Sequence, residues 1–301
     1  MLKFDHYLHQ YLLRHQLSHL EGNCHTEIEG VSIYRSTRGH ERQPLLYQSG
    51  IIALAAGRKT VFGGGQRFQY SANDYLVVGV PLPLECEAVC DGEQALMGIA
   101  VNFTRARLMR CVSRLEQLGF CAPAKQKDPL CGLHCRAKDG EINEILLRIA
   151  KTLNHPLTAQ LIGEALVDEL LYQVLMHESG AALINLARQE GKASKIARSL
   201  DYIHRHYAEP LTVNFLAQEV GMSVSAFHTA FKSVTFLPPL QYLKQVRLNK
   251  AKELIQLQGK RVSEAAVLVG YQSSSQFSRE FKRQFAHTPG AMAEREYPVA
   301  S

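Results

Sequence analysis

LAQEVGMSVSAFHTAFK, residues 216–232, and AAVLVGYQSSSQFSREFK, residues 265–282, are two copies of one pattern. In the first, Leu216, Ala217 and Val220 make an apolar helical face that ends at Gly221, Met222 fills a turn, and Phe227 and Phe231 supply an i, i+4 pair. The second repeats this with Ala266, Val269, Gly270, Tyr271, Phe277 and Phe281. An apolar face, a glycine that tolerates positive φ, and a new helix capped by Ser223 or Ser273 are the requirements of a helix-turn-helix. Small Ala217 and Ala266 let the two helices cross closely. Two such units in tandem can address two segments of a DNA major groove. An ordinary helical bundle is the competing reading, because apolar residues at helical spacing commonly mark a core and nothing more.

Charge separates the two. From Lys192 to Ser301 there are 15 Lys and Arg against 8 Asp and Glu, and the preceding residues hold 19 against 20. The whole positive excess therefore lies on the third that bears the repeat, as a surface that neutralises phosphates requires. The sequence pI of about 8.9 fits nucleic acid as partner but is weak by itself.

Working outward, residues 1–180 are read as a regulatory and dimerisation domain, 181–194 as a linker and 195–301 as the DNA-binding domain. Residues Phe4 to Leu20 have helical spacing. GVSIYRS, GIIALAAGRKTVF, QRFQY, DYLVVGV, LECEAVC and ALMGIAVNF then read as strands separated by turn residues, with GLHCRAK as a later one. Short strands in succession predict an antiparallel sandwich or barrel enclosing a pocket. Helices are expected over 105–118, 141–153 and 157–177; the last is apolar on most sides and needs burial by its own domain or by a second subunit. Glycines at both ends of ESGAALINLARQEGKAS, residues 178–194, mark the boundary. No apolar run reaches the length of a membrane span and the first residues carry charges where a signal peptide is apolar, so a cytoplasmic, nucleoid-associated protein with no membrane partner is expected. The seven cysteines all lie between Cys24 and Cys135, an odd number expected to be free thiols.

At the quoted residues the chain resembles the AraC/XylS family of bacterial transcription regulators. The match runs from Ile196 to Glu296 through IARSLDYIHRHYAEPLTVNFLAQEVGMS, PPLQYLKQVRLNKAKELI and VGYQSSSQFSREFKRQFAHTPG. Residues Gly30 to Pro83 resemble the N-terminal regulatory domain of one branch of that family. The resemblance implies two domains: an N-terminal cupin-like mixed β-barrel plus helices, and a C-terminal all-α domain with two helix-turn-helix units joined by a long helix. It also implies double-stranded DNA and RNA polymerase as partners and a small-molecule effector, with activator and repressor both open, while the apolar helix over 157–177 points to a homodimer. The chain departs from the family pattern where glycine usually follows each recognition helix, since Phe236 and Ala286 stand there. A left-handed backbone at those positions costs a residue with a Cβ about 1 kcal/mol; a β-region turn is the other option.

If Phe227 and Phe231 point inward, Val224, Ser225, His228, Thr229 and Lys232 remain outside; the second unit likewise presents Ser274, Ser275, Ser278, Arg279 and Lys282. The N-terminal residues of a recognition helix meet base edges. Val224, Ser225, His228, Thr229, Ser274, Ser275, Ser278 and Arg279 are therefore the base-reading candidates, and Lys232, Lys282 and Arg283 the phosphate clamps. Arg279 suits a bidentate contact to guanine, with a phosphate contact or a pair along its own helix as alternatives. A continuous helix from Leu240 to Leu257 would be about 27 Å long, enough to hold two recognition helices near one DNA turn apart. On it Arg247, Lys250 and Lys252 face either DNA backbone or, for Arg247, an internal partner.

The N-terminal half offers no catalytic constellation. Its strands lack His-x-His, the N-terminal helix places His6, His9, His15 and His19 on a solvated face, and Cys131 and Cys135 of CGLHC stand too far apart on a strand to share a zinc. FGGGQRF reads as a hairpin turn, and Cys86 and Cys90 as packed thiols. Neither metal nor cofactor is expected, and no enzyme activity. Arg35, Arg58 and Tyr70 are candidates to line the pocket without strand parity to choose among them, and the effector is unknown. A metal- or thiol-dependent enzyme or redox sensor fused to a DNA-binding domain is the alternative.

Overall fold

The computed structural model describes residues 4–92, 94–120, 132–177, 180–188, 191–256 and 258–293. A sheet-rich N-terminal part is followed by a helical C-terminal part. Helix α1 (Phe4–Arg14) leads into β1 (Gly22–His25), β2 (Val31–Ser36), β3 (His40–Tyr47), β4 (Gly50–Ala56), β5 (Arg58–Gly63), β6 (Gln66–Ser71), β7 (Asp74–Val78), β8 (Leu82–Val89) and β9 (Leu96–Asn102). Helix α2 (Arg105–Gln117), β10 (Leu133–Ala137), α3 (Gly140–Leu153), α4 (Pro156–Met176) and α5 (Gly180–Ala187) complete this half. The strands form two antiparallel sheets, β1-β2-β9-β4-β7-β10 and β3-β8-β5-β6. Helix α1 packs on β4 and β9 of the larger sheet, α3 packs on α1 and on α4, and the smaller sheet faces the larger one. Lys59 on β5 therefore meets the Tyr34 ring on β2, 3.4 Å from its centroid.

Several expectations shift here. GIIALAAGRKTVF is not one strand: Gly57, at φ +82°, turns the chain between β4 in the larger sheet and β5 in the smaller one. The first helix stops at Arg14 rather than Leu20, and Gln16 takes the left-handed conformation just beyond. Residues 178–194, read as a glycine-bounded linker, include α5, buried along all but one of its positions. FGGGQRF is a hairpin, Gly63 pairing with Gln66 while Gly64 and Gly65 take positive φ as a tight turn between twisted strands demands.

In the helical half, α6 (Lys192–His206), α7 (Val213–Glu219), α8 (Val224–Thr235), α9 (Pro239–Gln256), α10 (Val262–Leu268), α11 (Ser274–Phe285) and α12 (Pro289–Ala293) follow. Two cores divide α9 between them. Tyr242, Leu243 and Val246 join the core that also holds α6, α8 and the sheets; Leu248, Ala251 and Ile255 join a second built with Phe277, Phe281 and Phe285.

Candidate nucleic-acid interface

Each repeat folds from its own residues. Thr212 caps α7 by accepting from the Phe215 N–H, Gly221 turns the chain at φ +60°, and Ser223 caps α8 by accepting from the Ala226 N–H. In the second copy Ser273 accepts from the Gln276 N–H to cap α11. Gly270 is required twice over, by φ +87° and because a Cβ there would overlap the Ala208 carbonyl. Phe227 packs on Phe231 with centroids 5.4 Å apart and Phe277 on Phe281 at 5.5 Å, all four rings fully buried. These rings fix the rotation of α8 and α11 about their axes.

That rotation leaves Val224, Ser225, His228, Thr229 and Lys232 exposed on α8, and Ser274, Ser275, Arg279, Lys282 and Arg283 exposed on α11, with Ser278 half-buried. Thr229 Oγ1 donates back to the Ser225 carbonyl at 3.1 Å, which spends its proton inside the helix. Arg279 makes no ion pair among the described residues. Its neighbour Glu280 is occupied: it accepts from Tyr271 at 2.8 Å and pairs with Lys244 of α9 at 3.0 Å, tying α11 to the connecting helix. Arg247 pairs with no carboxylate among the described residues; its guanidinium donates to the carbonyls of Tyr207 (2.6 Å) and Glu209 (2.7 Å), holding the end of α6. Lys250 pairs with Glu253, and Lys252 lies over the Phe285 ring.

Both departures from glycine resolve to the left-handed option, Phe236 at φ 66° and Ala286 at φ 59°. Phe236 has a use there. Its ring lies on the β5–β6 turn, where a Cβ on Gly64 would overlap it and one on Gly63 would come within 3.2 Å. The glycine hairpin of one half is thus a seat for the ring that ends the first recognition helix of the other. Beside it Tyr242 donates to the Pro81 carbonyl at 2.7 Å, and His204 Nε2, also 2.7 Å from the Tyr242 hydroxyl, supplies the donor to that oxygen. Burial, aided by the charge of Lys250, pushes the His204 imidazole down to about 4, so it stays neutral. Arg105 of α2 reaches Asp201 at 3.7 Å, and α9 and α11 lie along β3. Sequence alone singled out Phe236 and the glycines separately and gave no sign that they meet; Tyr242 and His204 passed unremarked inside an ordinary apolar pattern.

In the N-terminal half, among the described residues no three His, Cys, Asp or Glu side chains gather as a metal site would need. His15 stacks on Tyr11 and pairs with Glu27. Cys131 lies outside the described residues, and Cys135 contacts the Gln69 carbonyl. Cys86 is fully buried and Cys90 partly so. Of the three pocket candidates only Tyr70 is buried between the sheets; Arg58 reaches toward Asp91 at the surface, and Arg35 donates to the Leu20 carbonyl.

Comparison with known proteins fixes what this arrangement belongs to. A family model described as the AraC-type transcriptional regulator N-terminus matches residues 27–182, more than half the chain, and a helix-turn-helix domain model matches 216–295. The chain belongs to the AraC-type transcriptional regulators. Among curated members of that group it is 39% identical over 95 residues to the HTH-type transcriptional regulator AlkR of Acinetobacter baylyi, covering 32% of this chain and 31% of AlkR. It is 30% identical over 100 residues to the HTH-type transcriptional activator RhaS of Escherichia coli, 33% of this chain and 36% of RhaS. The chain thus matches about a third of the length of these curated relatives. In fold, this AraC-type regulator is similar to ToxT from Vibrio cholerae solved with an unsaturated fatty acid bound, at TM-score 0.60 and 11% identity over 90% of this chain and 96% of ToxT. The sheet-rich N-terminal half and helical C-terminal half therefore recur together in a solved protein.

Proposed function

We propose that this AraC-type regulator reads a specific DNA sequence with two helix-turn-helix units, α7–α8 and α10–α11, set into successive major-groove segments by α9. The observation that carries this is the matched exposure of the two recognition helices: in each, phenylalanines hold one face in a core while short polar and basic side chains stand free on the other. Val224, Ser225, His228, Thr229, Ser274, Ser275, Ser278 and Arg279 meet base edges; Lys232, Lys282 and Arg283 hold phosphates. The protein acts on DNA and RNA polymerase in the cytoplasm and is not an enzyme; no described helix is long and apolar enough to cross a membrane.

Residues 1–180 act as a cupin-like regulatory barrel, 181–194 as its joint and 195–301 as the DNA-binding domain. A small molecule in the regulatory half biases DNA binding through the Phe236 seat and the Tyr242–Pro81 bond, a reading the fatty acid in ToxT supports. A homodimer forms through α4, whose Leu157, Leu161, Tyr172 and Met176 are exposed. Its acidic Glu164, Asp168 and Glu169 are already neutralised within the chain by Arg107 and Arg148, so two copies meet without repulsion.

Selection of genomic fragments by purified protein at about 150 mM salt tests the function, run beside the fragment beginning at Lys192. A recurring motif with two half-sites about ten base pairs apart is expected. Failure of both proteins to enrich any sequence removes the regulator reading.

A further inference from the structure

We propose that the space between the two sheets is a binding site for a small monocarboxylate, with Lys59 as its counter-ion and Tyr70 and Tyr47 as hydrogen-bond donors. This deepens the effector reading above and rests on it.

Lys59 is 5% exposed. Its ammonium lies over the Tyr34 ring, which attracts a cation but accepts none of its three N–H bonds in the ordinary sense. No carboxylate pairs with it among the described residues. A buried cation is normally paired, and a chain with nothing to gain from a charge here would place an apolar side chain at this position. Tyr70 stands directly across from Lys59 in the β5–β6 ladder, Cys86 lies on the adjoining β8, and Tyr47 on β3 beyond it. The hydroxyls of Tyr47 and Tyr70 are buried beside each other and beside the Cys86 thiol, yet neither forms a hydrogen bond of good geometry. Burial pushes both phenols well above their ordinary range, so they remain neutral donors.

A buried lysine with no carboxylate beside it among the described residues, and two buried phenols on other strands of the same sheet, would be matched by an acceptor with one negative charge. A single lysine with no arginine and no helix N-terminus matches a monoanion better than a phosphate dianion. Val61 and Leu84, buried two residues along from Lys59 and Cys86, give the ligand an apolar body to rest against. Lys59 is also four residues from Gly63 on the same strand, so the site and the Phe236 seat share β5 at about 13 Å separation.

Calorimetric titration of full-length protein with sodium salts of straight-chain acids from acetate to octanoate, benzoate and phenylacetate tests this, with hexanol and benzyl alcohol as neutral controls. At least one carboxylate should bind about tenfold tighter than its alcohol, and Lys59→Met should lose at least that factor while retaining wild-type binding to a selected DNA fragment. Tyr70→Phe, which keeps the ring, should weaken the same carboxylate about threefold or more. Binding of no acid below about 10 mM, or equal binding by wild type and Lys59→Met, overturns the proposal. In either case DNA binding by the same preparations reports separately on the regulator reading.

Discussion

Arg279 and Lys282 sit three residues apart on α11, both exposed, yet physical chemistry gives them different tasks. Arg279→Ala should relax preference at one base position and cost about 1 to 3 kcal/mol there, whereas Lys282→Ala should weaken all sequences alike and lower the salt slope by about one, as read from titrations at several salt concentrations. Equal losses on specific and random DNA from both would remove the base-reading role. Lys59 makes a second residue-level prediction. Burial pushes its ammonium down to about 8 from 10.5. Below pH 8 the amine is charged whether the chain is folded or not, and the folded state bears the full penalty. Between about 8 and 10.5 only the unfolded chain holds the proton, so stability rises with pH across that window. Lys59→Met should therefore stabilise the ligand-free protein by about 3 kcal/mol at pH 7 and by much less near pH 10.5, read from urea unfolding. Lys59 was illegible in the sequence, because RKTVF offers a lysine at the head of a strand and nothing says which way it points.

Among elements, the recognition helices were legible because their apolar period is strong and Ser223 and Ser273 announce where they start, whereas α5 was read as linker. Strand β3 was missed: HERQPLLY carries charges and Pro44, which on propensity deny a strand, while pairing with β8 imposes one. β1 was missed for its shortness. The ends of α8 and α11 repeat one geometry with different side chains, and that difference is measurable. Ala286→Gly should remove a left-handed cost of about 1 kcal/mol and leave DNA binding as it was. Phe236→Gly gains the same backbone relief but loses the ring from its seat, and Gly64→Val fills the seat from the opposite half. These two should shift DNA affinity in the same direction although one lies in each half of the chain. The comparison is a gel-shift titration of all three variants; opposite shifts, or none, would show the seat to be packing alone.

For the whole molecule, the concentration of positive charge after Lys192 was visible in the sequence and told which third meets DNA. How closely the two halves join was not, since each partner in that contact has an innocent local explanation: a hairpin glycine, a buried tyrosine, an arginine on a helix. The proposed assembly is testable at this scale. Leu161→Glu puts a charge in the middle of the exposed α4 stripe and should convert a dimer to a monomer in sedimentation, with secondary structure retained.

Helix α9 begins in one core and ends in the other. Heat should therefore not melt this protein in one step. Residues from about Leu248 onward carry a small core of their own and meet the sheets where α11 lies along β3, so they form a separate cooperative unit of lower stability. Calorimetry should resolve an early, small transition that removes the second recognition helix and a later, larger one that takes the first recognition helix together with the regulatory half. A single transition would mean α9 transmits stability along its whole length. With two, warming would leave an intermediate that still grips one half-site, and the length of DNA protected from nuclease would shrink by half before binding is lost.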